Sequence, residues 1–160
     1  MTKKNILLDS NSFDFLFEHI EEIENIKNNY NFYYIYAQES EINKIPDLTK
    51  RLNLIKIKDK YTRETAGVFM VNAPCINREC YFVNSELLNK IEFTLKKYHC
   101  KKNNREENFI NDLNLVISAY QNKYIILTND GYNKNRGLLP ALQELGIHSL
   151  SHQDFINIIF

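Results

Sequence analysis

The chain has 160 residues, 44% of them apolar and 25% charged, with 20 Lys and Arg set against 20 Asp and Glu. That length suits a single domain, a sheet covered by helices on both faces. The zero net charge excludes a surface that is basic all over, though not a local basic patch.

The first element is "NILLD", an apolar run without alternation, as in a strand buried on both faces of a parallel sheet. From Ser12 to about Lys27, Phe13, Leu16, Phe17, Ile20, Ile23 and Ile26 recur at helical spacing. "NFYYIYA" reads as a second strand, opened by the turn residues Asn28 and Asn29. A helix is expected from about Gln38, broken by Pro46, with "LTKRLNLIKI" helical or strand-like after it. "AGVFMVNAPCINRECYFVN" mixes strand residues with turn signals, and "NSELLNKIEFTLKKYH" is a helix with Ser85 as its N-cap. "REENFINDLNLVISAYQNK" is the clearest helix, with Phe109, Leu113, Val116, Ile117 and Tyr120 on one face. The strand "YIILTND", the helix "RGLLPALQELG", the short strand "IHSL" and the helix "QDFINII" complete the chain. Alternating strands and helices predict an α/β protein, a three-layer α/β/α sandwich around a mainly parallel sheet.

No apolar run approaches the roughly 20 residues of a membrane span, and no signal-like segment follows Met1-Thr2-Lys3-Lys4. With three irregularly spaced Cys, the expectation is a cytoplasmic chain with reduced thiols and no membrane partner.

Two of the strands end in a carboxylate, Asp9 and Asp130. Both then lie at the carboxyl edge of the sheet. A helix that follows a parallel strand starts at that edge, which brings Glu39 and Glu41 there and leaves open which of the two faces the crevice. The helix before "YIILTND" runs antiparallel to it, so Asp112, about 12 Å of helix before Tyr120, belongs to the same edge. Each acid also has a structural reading: Asp9 as a cap for the Ser12 helix, Asp130 as a turn-former with Gly131, Asp112 as a solvated helix residue, and either Glu as a charge suited to a helix N-terminus. Together they place Asp9, Glu41, Asp112 and Asp130 on one rim, where open α/β sheets bind ligands. Carboxylates so gathered repel one another, and a hard divalent cation, Mg²⁺ or Mn²⁺, relieves the repulsion.

The pieces "ILLDSNSF", "AQESEINKI", "NDLNLVISAYQNKYIILTND" and "LGIHSLSHQDFI" resemble the PIN domain, a family of metal-dependent ribonucleases that includes many toxins of bacterial toxin–antitoxin pairs. They fall at both ends of the chain, which is expected to be one PIN-like domain over 1–160 with a divergent middle at about 51–104. The resemblance implies that Asp9, Glu41, Asp112 and Asp130 are the acidic metal-binding and catalytic residues. It also implies that Asn11, Thr128 and Asn129 shape the site and that single-stranded RNA is the substrate. An antitoxin protein is an implied partner, and a homodimer a further expectation. Lys134 and Arg136, just past Asp130, and the "KKNNR" of 101–105 are candidates to receive the phosphate backbone. Many relatives carry another acid shortly after Thr-Asn-Asp; here "GYNKNRG" has none, which implies at least one held ion rather than two. A catalytically weakened PIN-like module that binds RNA or a protein is the alternative function.

Other signals are weaker. Cys75, Cys80, His99 and Cys100 lack the spacing of a zinc knuckle. His19, His148 and His152 have no Ser or Cys partner in a nucleophile motif. Phe32, Tyr33, Tyr34 and Tyr36 are expected to pack on the sheet rather than stack bases. With 4 Gly in the chain, a Gly-rich nucleotide fingerprint is excluded.

Overall fold

The structure is a computed structural model that describes residues 2–64, 85–98 and 106–160. The stretch 66–84, the zinc-ligand candidates and the "KKNNR" run lie outside the described residues. The strands are β1 (Lys4–Leu8), β2 (Tyr30–Tyr34), β3 (Thr62–Arg63), β4 (Ile125–Leu127) and β5 (Ser149–Leu150). The helices are α1 (Ser12–Glu18), α2 (Ile20–Ile26), α3 (Tyr36–Asn43), α4 (Leu48–Lys58), α5 (Ser85–Tyr98), α6 (Glu106–Asn122), α7 (Leu138–Leu145) and α8 (His152–Ile159). All strand pairs are parallel, in the order β3-β2-β1-β4-β5. The fold is the expected three-layer α/β sandwich.

β1 lies at the centre because its residues suit burial on both faces. Ile6 and Leu8 point into one core with Phe13, Leu16, Phe32, Ile57 and Phe155, mainly from α1, α2, α4 and α8. Leu7 points into the other, against Ile91, Leu95, Leu113, Val116, Ile126 and Leu142. The successive side chains of one strand thus reach opposite layers. The strand order also creates a switch point: from β1 the chain builds outward to β2 and β3, then returns to add β4 and β5 on the other side. In such sheets the crevice opens where the order reverses, here between the carboxyl ends of β1 and β4.

Several boundaries differ from expectation. The 12–27 run is two helices, α1 and α2, parted at His19, which leaves helical geometry (φ −116°, ψ 34°) with its ring centroid 4.8 Å from that of Phe15. α3 starts at Tyr36, before Gln38, because the Gln38 side chain accepts the Ile35 amide at 3.0 Å. A Gln at the third helical position reaching back to the N-cap amide is half of a capping box. "LTKRLNLIKI" is helical, with Asp47 as N-cap accepting from Lys50 N at 2.9 Å. α5 has Ser85 as its first helical residue. Tyr120 departs from the buried face of α6 and is 50% exposed. Phe32 and Tyr34 are buried as expected, whereas Tyr36 is 60% exposed beneath the Arg63 guanidinium. Among the described residues, no helix is long and apolar enough to cross a membrane.

Candidate active site

Asp9 follows β1 directly and is 9% exposed. Its Oδ1 accepts the Ser10 amide at 2.7 Å; its Oδ2 accepts Asn11 Nδ2 at 2.5 Å and Thr128 Oγ1 at 2.6 Å. Burial is the main reason its carboxyl is pushed up from 3.8 to about 7, with the Asp112 charge next and Glu41 also contributing. The Thr128 and Ser10 hydrogen bonds oppose that rise. A carboxyl held near neutrality by burial and by neighbouring acids is a mark of functional sites.

Thr128 links the two strands at the crevice. Its hydroxyl is fully buried, donates to Asp9, and accepts from Asn11 Nδ2 at 3.2 Å and from Asp130 N at 3.1 Å. Asn11 also uses its carbonyl, accepting the Asn129 amide at 2.9 Å. Asn11 and Thr128 therefore surround Asp9, while Asn129 takes part through its backbone. Ser12, one residue on, donates to Leu127 O at 2.7 Å. β1 and β4 are laced together on both sides of the acid.

The structure separates the two acids of α3. Glu39 is spent on Lys58, at 2.8 Å, and Arg63, at 3.6 Å. Glu41 faces the crevice, where Oε2 accepts the Ser10 hydroxyl and Oε1 accepts Asn111 Nδ2 at 2.6 Å. Ser10 and Asn111 are the site residues that sequence reasoning missed. Each stands beside an acid that was found, Asp9 or Asp112, and that adjacency is the only signal in the chain.

Asp130, tied to the same Thr128 hydroxyl through its amide, also anchors the loop after β4. Its Oδ2 accepts the Leu138 amide at 2.8 Å, and its carbonyl accepts the Leu139 amide at 2.9 Å. The carboxylate is thus engaged at the N-terminus of α7, where a negative charge is favoured. Two glycines permit the approach: Gly131 and Gly137 have φ of +87° and +101°, and a Cβ on Gly137 would lie 2.8 Å from Gly131 and 2.9 Å from Asp130 Oδ1. Lys134 and Arg136, in the same loop, are exposed.

Whether a hard cation fits is answered by donor chemistry and by spacing. The chemistry fits: Asp9 is a carboxylate, and two further carboxylates, Asp112 and Glu41, bear on it electrostatically. On spacing, no three Asp, Glu, His or Cys side chains among the described residues are drawn into a ready-made metal site.

No protein-family model matches the sequence, and no curated protein matches it. The fold is similar to that of a chain in the crystal structure of VapBC2 from Rickettsia felis bound to a DNA fragment from their promoter. That similarity has a TM-score of 0.51 at 9% identity, over 92% of this chain and 98% of the other. At this identity the likeness concerns the fold, which is PIN-like.

Proposed function

We propose that this chain is a metal-dependent endoribonuclease that cleaves single-stranded RNA in the β1/β4 crevice, as the toxin of a toxin–antitoxin pair. The observation that carries the reading is Asp9: a buried acid at the topological switch point, with Asp112 and Glu41 acting on it and its carboxyl at about 7. The same fold in VapBC2, which that structure holds bound to a promoter DNA fragment, supports an antitoxin protein as the partner.

Asp9, Glu41 and Asp112 would hold Mg²⁺ or Mn²⁺. When bound, the ion supplies Lewis-acid polarisation of a phosphodiester oxygen and a lowered pKa for a coordinated water. The residues of the chain prepare for this. Thr128, Asn11 and the Ser10 amide hold the Asp9 carboxylate in one orientation. Ser10 and Asn111 fix both oxygens of Glu41, which would hold the ion or orient the attacking water. Asp130 holds the loop after β4 against α7.

The test is cleavage of labelled single-stranded RNA with Mn²⁺, Mg²⁺ or EDTA, by wild type, Asp9→Asn and Asp112→Asn. Metal-dependent cleavage that falls at least a hundredfold in both variants is expected. Equal cleavage in the variants would sink the assignment. No cleavage by a folded wild type with either metal would favour the second reading, a PIN-like binding module. That reading is supported by the described residues, among which no three ligand side chains are drawn into a ready-made metal site.

A further inference from the structure

A cavity of about 630 Å³ lies beside the crevice and has no part in the chemistry above. It begins at the loop after β4, where it is lined by Tyr132, Asn133, Lys134 and Asn135, and it continues along the β5 edge past Gln143 and His148. Its wall is joined to the acidic crevice. Gly131, which lines the cavity, follows Asp130, whose amide is bonded to the Thr128 hydroxyl that also holds Asp9. The volume falls within the roughly 300–1,000 Å³ of small-ligand sites. The cavity has room for a nucleotide, not for a duplex.

Tyr132 is 37% exposed and offers an aromatic face. Among the described residues, the side chains of Asn133, Lys134, Asn135 and Gln143 make no hydrogen bond or ion pair. The lining's one carboxylate, Asp154, is turned to Ser151. The remaining cation, three carboxamides and exposed ring match the parts of a nucleotide: phosphate, base edge and base face. A peptide added as a strand is a poorer match, because β5 offers an edge of two residues.

We propose that this trough holds an unpaired nucleotide of the RNA flanking the phosphodiester in the crevice. Its base stacks on Tyr132, its phosphate meets Lys134, and its base edge faces the carboxamides. The choice of RNA rests on the nuclease reading; the trough itself does not.

The experiment measures binding of a fluorescein-labelled, mixed-sequence single-stranded RNA by anisotropy in EDTA, and its cleavage in Mn²⁺. It compares wild type, Tyr132→Ala, Tyr132→Phe, Lys134→Ala and, as a surface control, Lys90→Ala. Tyr132→Ala is expected to weaken binding about tenfold, as loss of one stacked base does, and Tyr132→Phe to restore it. Lys134→Ala should lower the slope of log affinity against log salt by about one. Lys90→Ala should bind as wild type does.

If wild type cleaves RNA while Tyr132→Ala and Lys134→Ala bind as wild type does, the trough is not a nucleotide site and the nuclease reading stands. If RNA binds through Tyr132 and Lys134 without cleavage in Mn²⁺, the trough stands and the nuclease reading falls. Absence of both binding and cleavage overturns the two together. Lys134 is exposed, so its variant decides the matter even where Tyr132→Ala fails to fold.

Discussion

Thr128 carries more of the site than its size suggests. One buried hydroxyl donates to Asp9 and accepts from Asn11 and the Asp130 amide, so it sets the acid, the loop and the spacing of β1 from β4 at once. Thr128→Val keeps the shape and removes these bonds. A buried donor or acceptor left unpaired costs about 1–3 kcal/mol, so the variant should be less stable by that amount in chemical denaturation. It should also lose metal-dependent activity at neutral pH, because Asp9 loses a bond that favours its ionised form. A pH–rate profile displaced upward is the expected signature. Asp9 and Thr128 were legible in the sequence because each ends an apolar run that had to be a strand. Ser10 and Asn111 were not, since their role depends on where α3 and α6 stand across the crevice. Choosing Glu41 over Glu39 likewise required Lys58 and Arg63, which lie in α4 and β3.

Among the elements, α8 is fastened by an unusual pair. His152 stacks on Phe15 at 4.5 Å and meets Ser12 Oγ at 3.1 Å. Ser12 gives its single proton to Leu127 O, so His152 donates from Nε2. Burial, with His19 second, holds the imidazole down at about 4. A His with a lowered folded pKa binds fewer protons folded than unfolded between about 4 and 6.5, so its contribution is present above that window and lost as pH falls through it. Asp9 has the opposite sign. Its folded pKa is raised, so without metal the fold loses stability as pH rises from 3.8 to about 7. The two slopes oppose each other over nearly the same range. In EDTA, thermal melts of wild type should therefore depend on pH less steeply between pH 4 and 6.5 than those of either single variant. His152→Gln should grow less stable as pH rises there, and Asp9→Asn more stable. Parallel profiles for the two variants would contradict this assignment.

The loop before α7 is equally constrained, for a steric reason. Gly137→Ala would place a methyl within 3 Å of Gly131 and Asp130, at a φ that side chains disfavour. A loss of about 1–3 kcal/mol is expected in chemical denaturation, with activity falling as the Asp130 loop shifts. α3 and the division of α1 from α2 were the elements least legible in advance. Gln38 overrode the apparent strand end at Ile35-Tyr36-Ala37 by capping the helix, and the apolar spacing of 12–27 runs through His19 unbroken. The periodicity of β1, α6 and α7 left no such conflict, and these stand close to where they were expected.

For the whole molecule, the acids gathered at the switch point oppose folding until something neutralises them, so cation and stability should be linked. At about a hundred times its Kd, an ion that binds only the folded state adds about 2.7 kcal/mol, or roughly 5–10 °C for a chain of this size. Mn²⁺ should raise the melting temperature of wild type by that much at pH 8, and EDTA should reverse it. Asp9→Asn and Asp112→Asn should show little response. An equal shift in all three proteins would place the cation elsewhere. The architecture was legible from strand–helix alternation alone. The strand order was not, because nothing local tells β1 that its neighbours are β2 and β4.

That order has a consequence in time. Thr128 and Asp9 are 119 residues apart in the chain yet share one hydrogen bond. At a synthesis rate of about 5–20 residues per second, Asp9 leaves the ribosome some 6–24 s before the hydroxyl that completes its surroundings. A nascent chain therefore carries its first acid long before it has a crevice. The crevice that gathers these acids is closed only when translation of that copy is nearly done.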